Sequence, residues 1–328
     1  LFFMIQERFI KIRSYIITFL CIITLNFFIP RLMPGDPFTF LSAEEGQIHT
    51  TFSYEDIQRY KSYYGLEQSL GRQYINYINN LFRGNLGYSI AYKEEVVTII
   101  KNRMVWTLSL VVAAIFFSSL IGVILGSLSA YKRNTFLDKI LYFDLIVLSE
   151  IPAFLIALLL LFFFSAHLKL FPLSGGISHF TAFTSFGEKA YDVLHHGTLP
   201  LLALILTRTG TFYLLTRNSM IHILEKDYMR TARGKGLKKG RILFLHGLKN
   251  AIPPVVTRIF LSLGSILGGA VLVENVFRYP GVGSLMREAV FLRDYPLIQG
   301  IFLIMTLLVI VMNYIAEILY KKMDPRVS

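Results

Sequence analysis

Six stretches of this chain are apolar over roughly the twenty residues that a bilayer demands, and a segment of that kind can satisfy its backbone in lipid only as a helix. They run approximately from Ser14 to Met33, Met104 to Ala130, Ile140 to Ala166, Thr198 to Leu215, Ile252 to Phe277 and Leu297 to Tyr320. The expected fold class is all-α, a polytopic membrane protein with six transmembrane helices. Composition agrees: hydrophobic residues make up 54% and charged residues 16%, with a mean hydropathy of +0.55, far from an ordinary soluble domain. A net charge of +12 would suit nucleic acid if the basic residues shared one water-facing surface. They cluster between apolar runs instead, so nucleic acid is not expected as a partner. Cys21 stands alone inside the first run, which excludes an intrachain disulfide and a Cys-based metal site.

The first run is too long, and too poorly followed by a small-residue cleavage site, for a signal peptide, and reads as a retained span. Leu1 is an unusual first residue, and a start at Met4 or at an alternative initiation codon is expected. Six spans put both termini on one side. Lys and Arg crowd that side at Arg8, Lys11 and Arg13, at Lys132, Arg133 and Lys139, from Arg217 through Lys249, and at Lys321, Lys322 and Arg326. The bias makes it the cytoplasm, with both termini there. Pro34 to Arg103, which balances its bases with acids, is then the exported segment. Ser53 with Asp56 three residues on resembles a capping box, and Ile57, Tyr60 and Tyr64, then Tyr74, Tyr77, Ile78 and Leu81, recur at helical spacing. A small external helical subdomain is expected, either a packing cap or a docking surface.

Gly122 with Gly126 and Gly264 with Gly268 are small-xxx-small pairs that let helices approach closely. Asp144 and Glu150 fall in the third run, Arg208 in the fourth and Glu274 near the outer end of the fifth. A charge at bilayer depth costs a few kcal/mol, so such residues face a partner or a water-filled path. Asp144 and Arg208 also suit interfacial or structurally paired positions. Glu150 precedes Ile151-Pro152, where proline removes a helix hydrogen bond, and is the strongest pore-lining candidate.

Enzymatic signals fail. Leu173-Ser174-Gly175-Gly176 copies the start of an ABC ATPase signature, yet no GxxxxGK[ST] phosphate loop exists in the chain. The segment reads as a turn. His195 and His196 are adjacent, a spacing that does not direct both rings at one metal. No HExxH, G-x-S-x-G or nucleophile with a base is present, so no catalytic residue and no metal site are expected.

Asp227 to Thr257 is a basic, glycine-punctuated segment between two apolar runs. It resembles the cytoplasmic coupling loop of ABC-importer permeases, with Arg230, Thr231 and Ala232 at the EAA positions, Gly236 at the glycine and Ile252-Pro253 at the end. Further matches follow in order along nearly the whole chain: Leu32-Met33-Pro34-Gly35-Asp36-Pro37, Gly84-Asn85-Leu86-Gly87-Tyr88-Ser89, Ser149 to Phe154, Phe171-Pro172, His196 with Leu199-Pro200, Arg217 to Met220, Asp227-Tyr228, Glu274-Asn275-Val276-Phe277, Pro280-Gly281-Val282-Gly283, Asn313, Glu317, Tyr320 and Asp324-Pro325-Arg326. Together these are similar to the peptide/nickel permease family of ABC importers, the subunit type with a large first external loop.

The resemblance implies a prokaryotic cell-membrane permease that pairs with a second related permease, two cytoplasmic ATPases and an external solute-binding protein. It binds no cofactor itself, ATP and Mg being held by the ATPases. Residues 1–33 form the cytoplasmic N-terminus and first span, 34–103 the external subdomain, and 104–328 a five-helix core with a coupling loop at 217–251. Asp227 caps the first coupling helix, Tyr228 stands beside it, Arg230, Thr231 and Ala232 meet the ATPase, and Gly236 breaks the chain before a second basic helix. Lys235, Lys238, Lys239 and Arg241 also suit the anionic lipid surface. Glu150, Asp144, Arg208 and Glu274 are the expected solute path. Peptide is the first choice of substrate on family frequency and nickel or a metal chelate the alternative; Asp144 and Glu150 stand where the family more often has small or apolar residues, which implies a more acidic path without identifying a cation. A secondary transporter, which would use intramembrane acids and broken helices, lacks the expected inverted repeat. A receptor or assembly factor leaves the ordered motifs unexplained.

Overall fold

A computed structural model describes residues 2–32, 58, 62, 65–178 and 181–323. Helices α1 (Phe2–Arg31), α2 (Leu70–Phe82), α3 (Val96–Tyr131), α4 (Phe136–Glu150) and α5 (Ala153–Leu160) come first, α5 continuing as a π-helical segment, Leu161–His167. Then follow α6 (Phe186–Leu224), α7 (Asp227–Gly234), a second π segment (Ile242–Leu248) between short turns of α-helix, α8 (Pro253–Phe277), α9 (Val282–Phe291) and α10 (Tyr295–Met323). No strand is present among the described residues, as the apolar runs require. The expected capping box at Ser53, together with Ile57, Tyr60, Tyr64, the Pro34 to Pro37 motif and the terminal Asp324-Pro325-Arg326, lies outside the described residues.

Three helices are each long and apolar enough to cross a bilayer: α3, α6 and the Tyr295–Leu319 part of α10. Two bent helix pairs raise this to five, and Ile16–Arg31 is a shorter apolar helix. The third apolar run, expected as one span, is two helices meeting at 97°. The cause is local. Pro152 forces Ile151 into an extended conformation (φ −76°, ψ 126°), and its missing N–H cannot continue the ladder. Helix starts follow their sequence signals. The hydroxyl of Thr135 accepts from Asp138 N at the start of α4, and that of Ser185 accepts from Glu188 N at the start of α6, while Glu188 accepts from Thr184 N at 2.9 Å.

The chain divides into two compact units, Leu1–Met104 with Leu285–Leu307, and Val105–Ser284 with Leu308–Ser328. In the first, α2 turns its expected tyrosine face onto α1. Tyr74 packs edge-on to Phe27 with ring centroids 5.1 Å apart, and its hydroxyl lies 2.9 Å from Thr24 Oγ1. The glycines of the Gly84 to Ser89 motif take φ of +72° and +80°, a turn that only glycine adopts without strain. That turn delivers Ser89 and the Ala91 N–H to the buried Asp294 carboxylate at 2.5 and 3.0 Å.

In the second unit α3 lies backbone to backbone on α6. A Cβ at Gly122 would stand 2.6 Å from Phe212 Cβ, and one at Gly126 2.7 Å from the Tyr213 carbonyl, so this small-residue pair is a close-packing seam. The other pair differs. Gly264 makes only ordinary contacts with Asn313 and Val309, and Gly268 has open space, so neither marks a tight backbone approach. The tightest approach belongs instead to Gly210 of α6, where a Cβ would collide with Ser149 Oγ and the Leu145 carbonyl of α4.

Candidate functional site

Three polar constellations stand out in the second unit. The first is the segment between α6 and α8. α7 begins one residue earlier than expected, with Lys226 at the N-cap, so Asp227 occupies the first turn, where a carboxylate complements the helix dipole. Met229 (0% exposed) and Ala232 (8%) face inward, whereas Asp227, Tyr228, Arg230 and Thr231 are exposed. Arg230 Nη1 lies 3.7 Å from Asp227 Oδ1, an exposed i,i+3 pair worth little in stability. Gly236 takes φ +69° just after the helix, and its N–H donates to the Arg233 carbonyl at 3.0 Å. The second π segment packs under α7, and Ile242, Leu243 and Leu237 share a cavity of about 550 Å³ with Arg230, Arg233 and the end of α3. Met220, Ile223, Ala130 and Ala251 form the apolar floor.

The second constellation holds this base together. Arg217 Nε and Nη2 donate to the two Asp138 carboxylate oxygens at 2.8 and 2.9 Å. Asn134 N donates to Oδ2 at 3.0 Å, Ser129 Oγ donates to Oδ1, and the Ser129 and Tyr213 hydroxyls are 2.7 Å apart. The network joins α3, α4 and α6.

The third surrounds the α4–α5 break. A cavity of about 360 Å³ is lined by Ser149, Glu150, Gly210, Thr211, Asn218 and Arg258, among others. Glu150 is exposed in the single chain, as is Asp144. Arg208 is half-buried on α6, with Nη2 3.5 Å from where a Gly269 Cβ would stand, and within electrostatic reach of Arg258. Glu274, expected among these residues, is placed apart from them. It is 0% exposed; its carboxylate accepts from Thr107 Oγ1 and Gly283 N, both at 2.7 Å, and Thr107 Oγ1 accepts from Val282 N at 2.8 Å. Side chains at Gly281 or Gly283 would occupy the space of that carboxylate. Beyond the helix end, burial and then the nearby Glu274 push the Tyr279 phenol up to about 12.

Glu150, Arg258 and, through it, Arg208 are thus brought together; Asp144 and Glu274 are not part of that cavity's lining. Sequence reasoning missed Arg258 and Asp138, and it placed Arg217 and Asn218 in a matched motif without giving either a role. Arg258 is a charge inside the fifth apolar run and meets the same criterion that picked out Arg208. Nothing local marks Asp138 and Arg217 as partners, since they are 79 positions apart in sequence. The adjacent histidines are explained structurally, His195 Nε2 donating to the Leu170 carbonyl and His196 Nδ1 to that of Asp192. No group of metal-ligating side chains exists among the described residues. The Leu173 to Gly176 segment is a bend fixed by Gly175 N donating to the Phe277 carbonyl at 2.9 Å.

A chain with no strand among its described residues, several bilayer-length helices, a broken apolar helix beside a charged cavity and an amphipathic basic segment between spans defines an integral-membrane protein of transporter type. The chain belongs to the family described as binding-protein-dependent transport system inner membrane component, whose profile matches residues 122–328. It is 36% identical over 305 residues to the oligopeptide transport system permease protein AppB of Bacillus subtilis (strain 168), covering 93% of each chain. It is 33% identical over 326 residues to the di/tripeptide transport system permease protein DppB of Pseudomonas aeruginosa (strain UCBPP-PA14), and 32% identical to the dipeptide transport system permease protein DppB of Escherichia coli (strain K12), each match covering 94% of this chain and 95% of the other. The chain is a permease subunit of an ABC-type transport system, a component of the inner membrane.

Proposed function

We propose that this permease carries peptides inward, handed over by an external solute-binding protein, through a path shared with a second related permease and driven by two ATPases that bind ATP and Mg on the cytoplasmic side. The observation that carries the substrate is the near full-length similarity to relatives named as oligopeptide, dipeptide and di/tripeptide permeases. That similarity favours peptide over nickel or a metal chelate. Both termini and the coupling loop are cytoplasmic on this reading, supported by the Lys and Arg bias.

The exposed face of α7, with Asp227, Tyr228, Arg230 and Thr231, is the ATPase contact, and Ala232 with Met229 seats the helix on the bundle. ATP binding closes the ATPases, and their different contacts with α7 in the two states shift the bundle between inward-open and outward-open forms. The cavity beside Glu150 belongs to the path, with Arg208 adjoining it and Asp144 at its approach. Support comes from the α4–α5 break, since irregular backbone at membrane depth is tolerated only inside protein or against water. Glu274 serves this path as a clamp on the Pro280 to Gly283 turn.

Isolation of the chain from native membranes is expected to bring down two ATPases and a second permease. Deleting its gene is expected to abolish uptake of a labelled dipeptide or oligopeptide and leave nickel uptake unchanged. Loss of nickel uptake alone overturns the peptide reading.

A further inference from the structure

We propose that the cavity beside the α4–α5 break is a bipolar site for a zwitterionic solute, holding an ammonium group at Glu150 and a carboxylate at Arg258. The inference rests on the reading above that this cavity is part of the path. Its volume of about 360 Å³ lies within the range of small-molecule sites, and its lining sets Ile146, Leu214 and Leu215 among polar and charged side chains.

At the acidic end two sources of negative charge coincide. α4 ends at Glu150, Ile151 is extended and Pro152 has no N–H, so the last-turn carbonyls of α4 lack their helical donors. The negative end of the helix dipole and the Glu150 carboxylate occupy one place, an arrangement unfavourable alone and relieved by a cation. The hydroxyl of Ser149 is already committed, donating to the Leu145 carbonyl at 2.7 Å.

At the basic end the Nε of Arg258 is buried without a hydrogen-bond partner. Arg208 stands near enough for the two guanidiniums to act on one another, and neither has an acceptor among the described residues. Glu150 is likewise unpaired, although it lines the same cavity as Arg258. Opposite charges therefore share a small space without neutralising each other. A guanidinium whose buried Nε lacks an acceptor is unfavourable, and a carboxylate fits its fork of donors. A solute carrying both termini satisfies both ends at once, whereas a bare metal ion leaves the arginines unsatisfied.

The test uses the whole transporter complex, with Cys21→Ser and Asn218→Cys, reconstituted in liposomes without its binding protein and labelled by a water-soluble maleimide. Trialanine is expected to slow labelling. N-acetyl-trialanine and trialanine amide are each expected to protect about tenfold less well, the equivalent of about 1.4 kcal/mol. Glu150→Gln is expected to erase the distinction between free and acetylated peptide only, and Arg258→Gln that between free and amidated peptide only. Equal protection by all three peptides, or by none, at a cysteine that does label overturns the site and leaves a water-filled path standing. A cysteine that labels in no nucleotide state, at position 218 or, with Thr211→Cys, at 211, overturns the path and the site together. If Arg258→Gln releases the second permease while Arg258→Lys retains it, the acceptor is a carboxylate of that subunit, and the proposal falls.

Discussion

Arg217 meets Asp138 fork to fork, with both carboxylate oxygens bound at 2.8 and 2.9 Å, across 79 positions of sequence. The side chains are 15% and 4% exposed, so the pair is largely withdrawn from water, and Ser129, Asn134 and the Tyr142 ring complete its surroundings. Removing one member of such a pair leaves an uncompensated charge, whereas Lys keeps the charge without the planar fork.

We expect Arg217→Gln to destabilise the complex by about 3 to 5 kcal/mol, with Arg217→Lys falling between it and the native chain. Asp138→Asn combined with Arg217→Gln is expected to cost less than the sum of the single changes. Thermal unfolding of the detergent-solubilised complex, followed by loss of its size-exclusion peak, measures this. Strict additivity would mean that the two groups do not act as a pair.

The seam between α3 and α6 separates two glycines of identical type. Gly126→Val places a side chain into the Tyr213 carbonyl and Thr216 and is expected to sharply lower the amount of protein in the membrane. Gly268→Ala, with open space around it, is expected to be neutral or to stabilise by up to about 1 kcal/mol through helix propensity. Quantitative immunoblots of membrane fractions decide between them.

Gly236 has φ +69° and open space where a Cβ would stand, so substitution there strains the backbone without a clash. Ala is expected to cost about 1 kcal/mol, Val more, and Asn less, since it tolerates the left-handed region. That amount is small for a whole bundle but comparable with the bias between two conformations. Gly236→Val is expected to leave abundance near normal while reducing both ATPase copurification and uptake. Unchanged uptake and unchanged assembly would show that this turn is not the coupling element.

Tyr92 donates to Glu288 Oε2 at 2.5 Å. Burial first, and then this carboxylate, push its phenol from 10.0 up to about 12. A raised phenol favours the folded state while neutral, so its contribution is complete below pH 10 and is lost as pH climbs toward 12. Tyr92→Phe is expected to flatten that part of the stability curve, measured as the difference between variant and native melting temperatures at pH 9 and pH 11, chosen as roughly one unit below and above the ordinary value. An identical difference at both values would remove the phenol from the titration.

Much of the architecture is legible because lipid imposes so narrow a choice on apolar runs: α3, α6 and α10 coincide with three of them, and Tyr74 and Tyr77 mark the inward face of α2. Gly122 and Gly126 are also legible, since small residues four apart on an apolar helix have few other uses. What escaped depends on partners far along the chain. Gly210 is a lone glycine whose meaning comes only from Ser149 and Leu145 opposite, and Asp138 looks like one more acid near a basic surface until Arg217 is beside it. Pro152 announced a disturbance but not a turn of 97°, because a proline fixes its own φ and leaves the neighbouring helices to settle their angle by packing. In the charged cavity Glu150 could be picked out, but its relation to Arg258 could not, since that relation exists only after α4, α6 and α8 have assembled.

The α4–α5 break also bears on how the protein is made. α4 has 15 residues, and Ala153–His167 supplies 8 of α-helix and 7 of π-helix. Neither half exceeds about 22 Å, short of the roughly 30 Å hydrocarbon layer. As the nascent chain leaves the ribosome, this region lacks a self-sufficient hydrophobic rod, and its closest companion, Gly210 of α6, is synthesised some sixty residues later. Stable membrane integration of the third apolar run is therefore expected to wait for α6. Truncated chains ending before Thr198 should accordingly leave this region extractable by alkali, and chains ending after Leu224 should retain it; retention in both would mean that the halves integrate unaided.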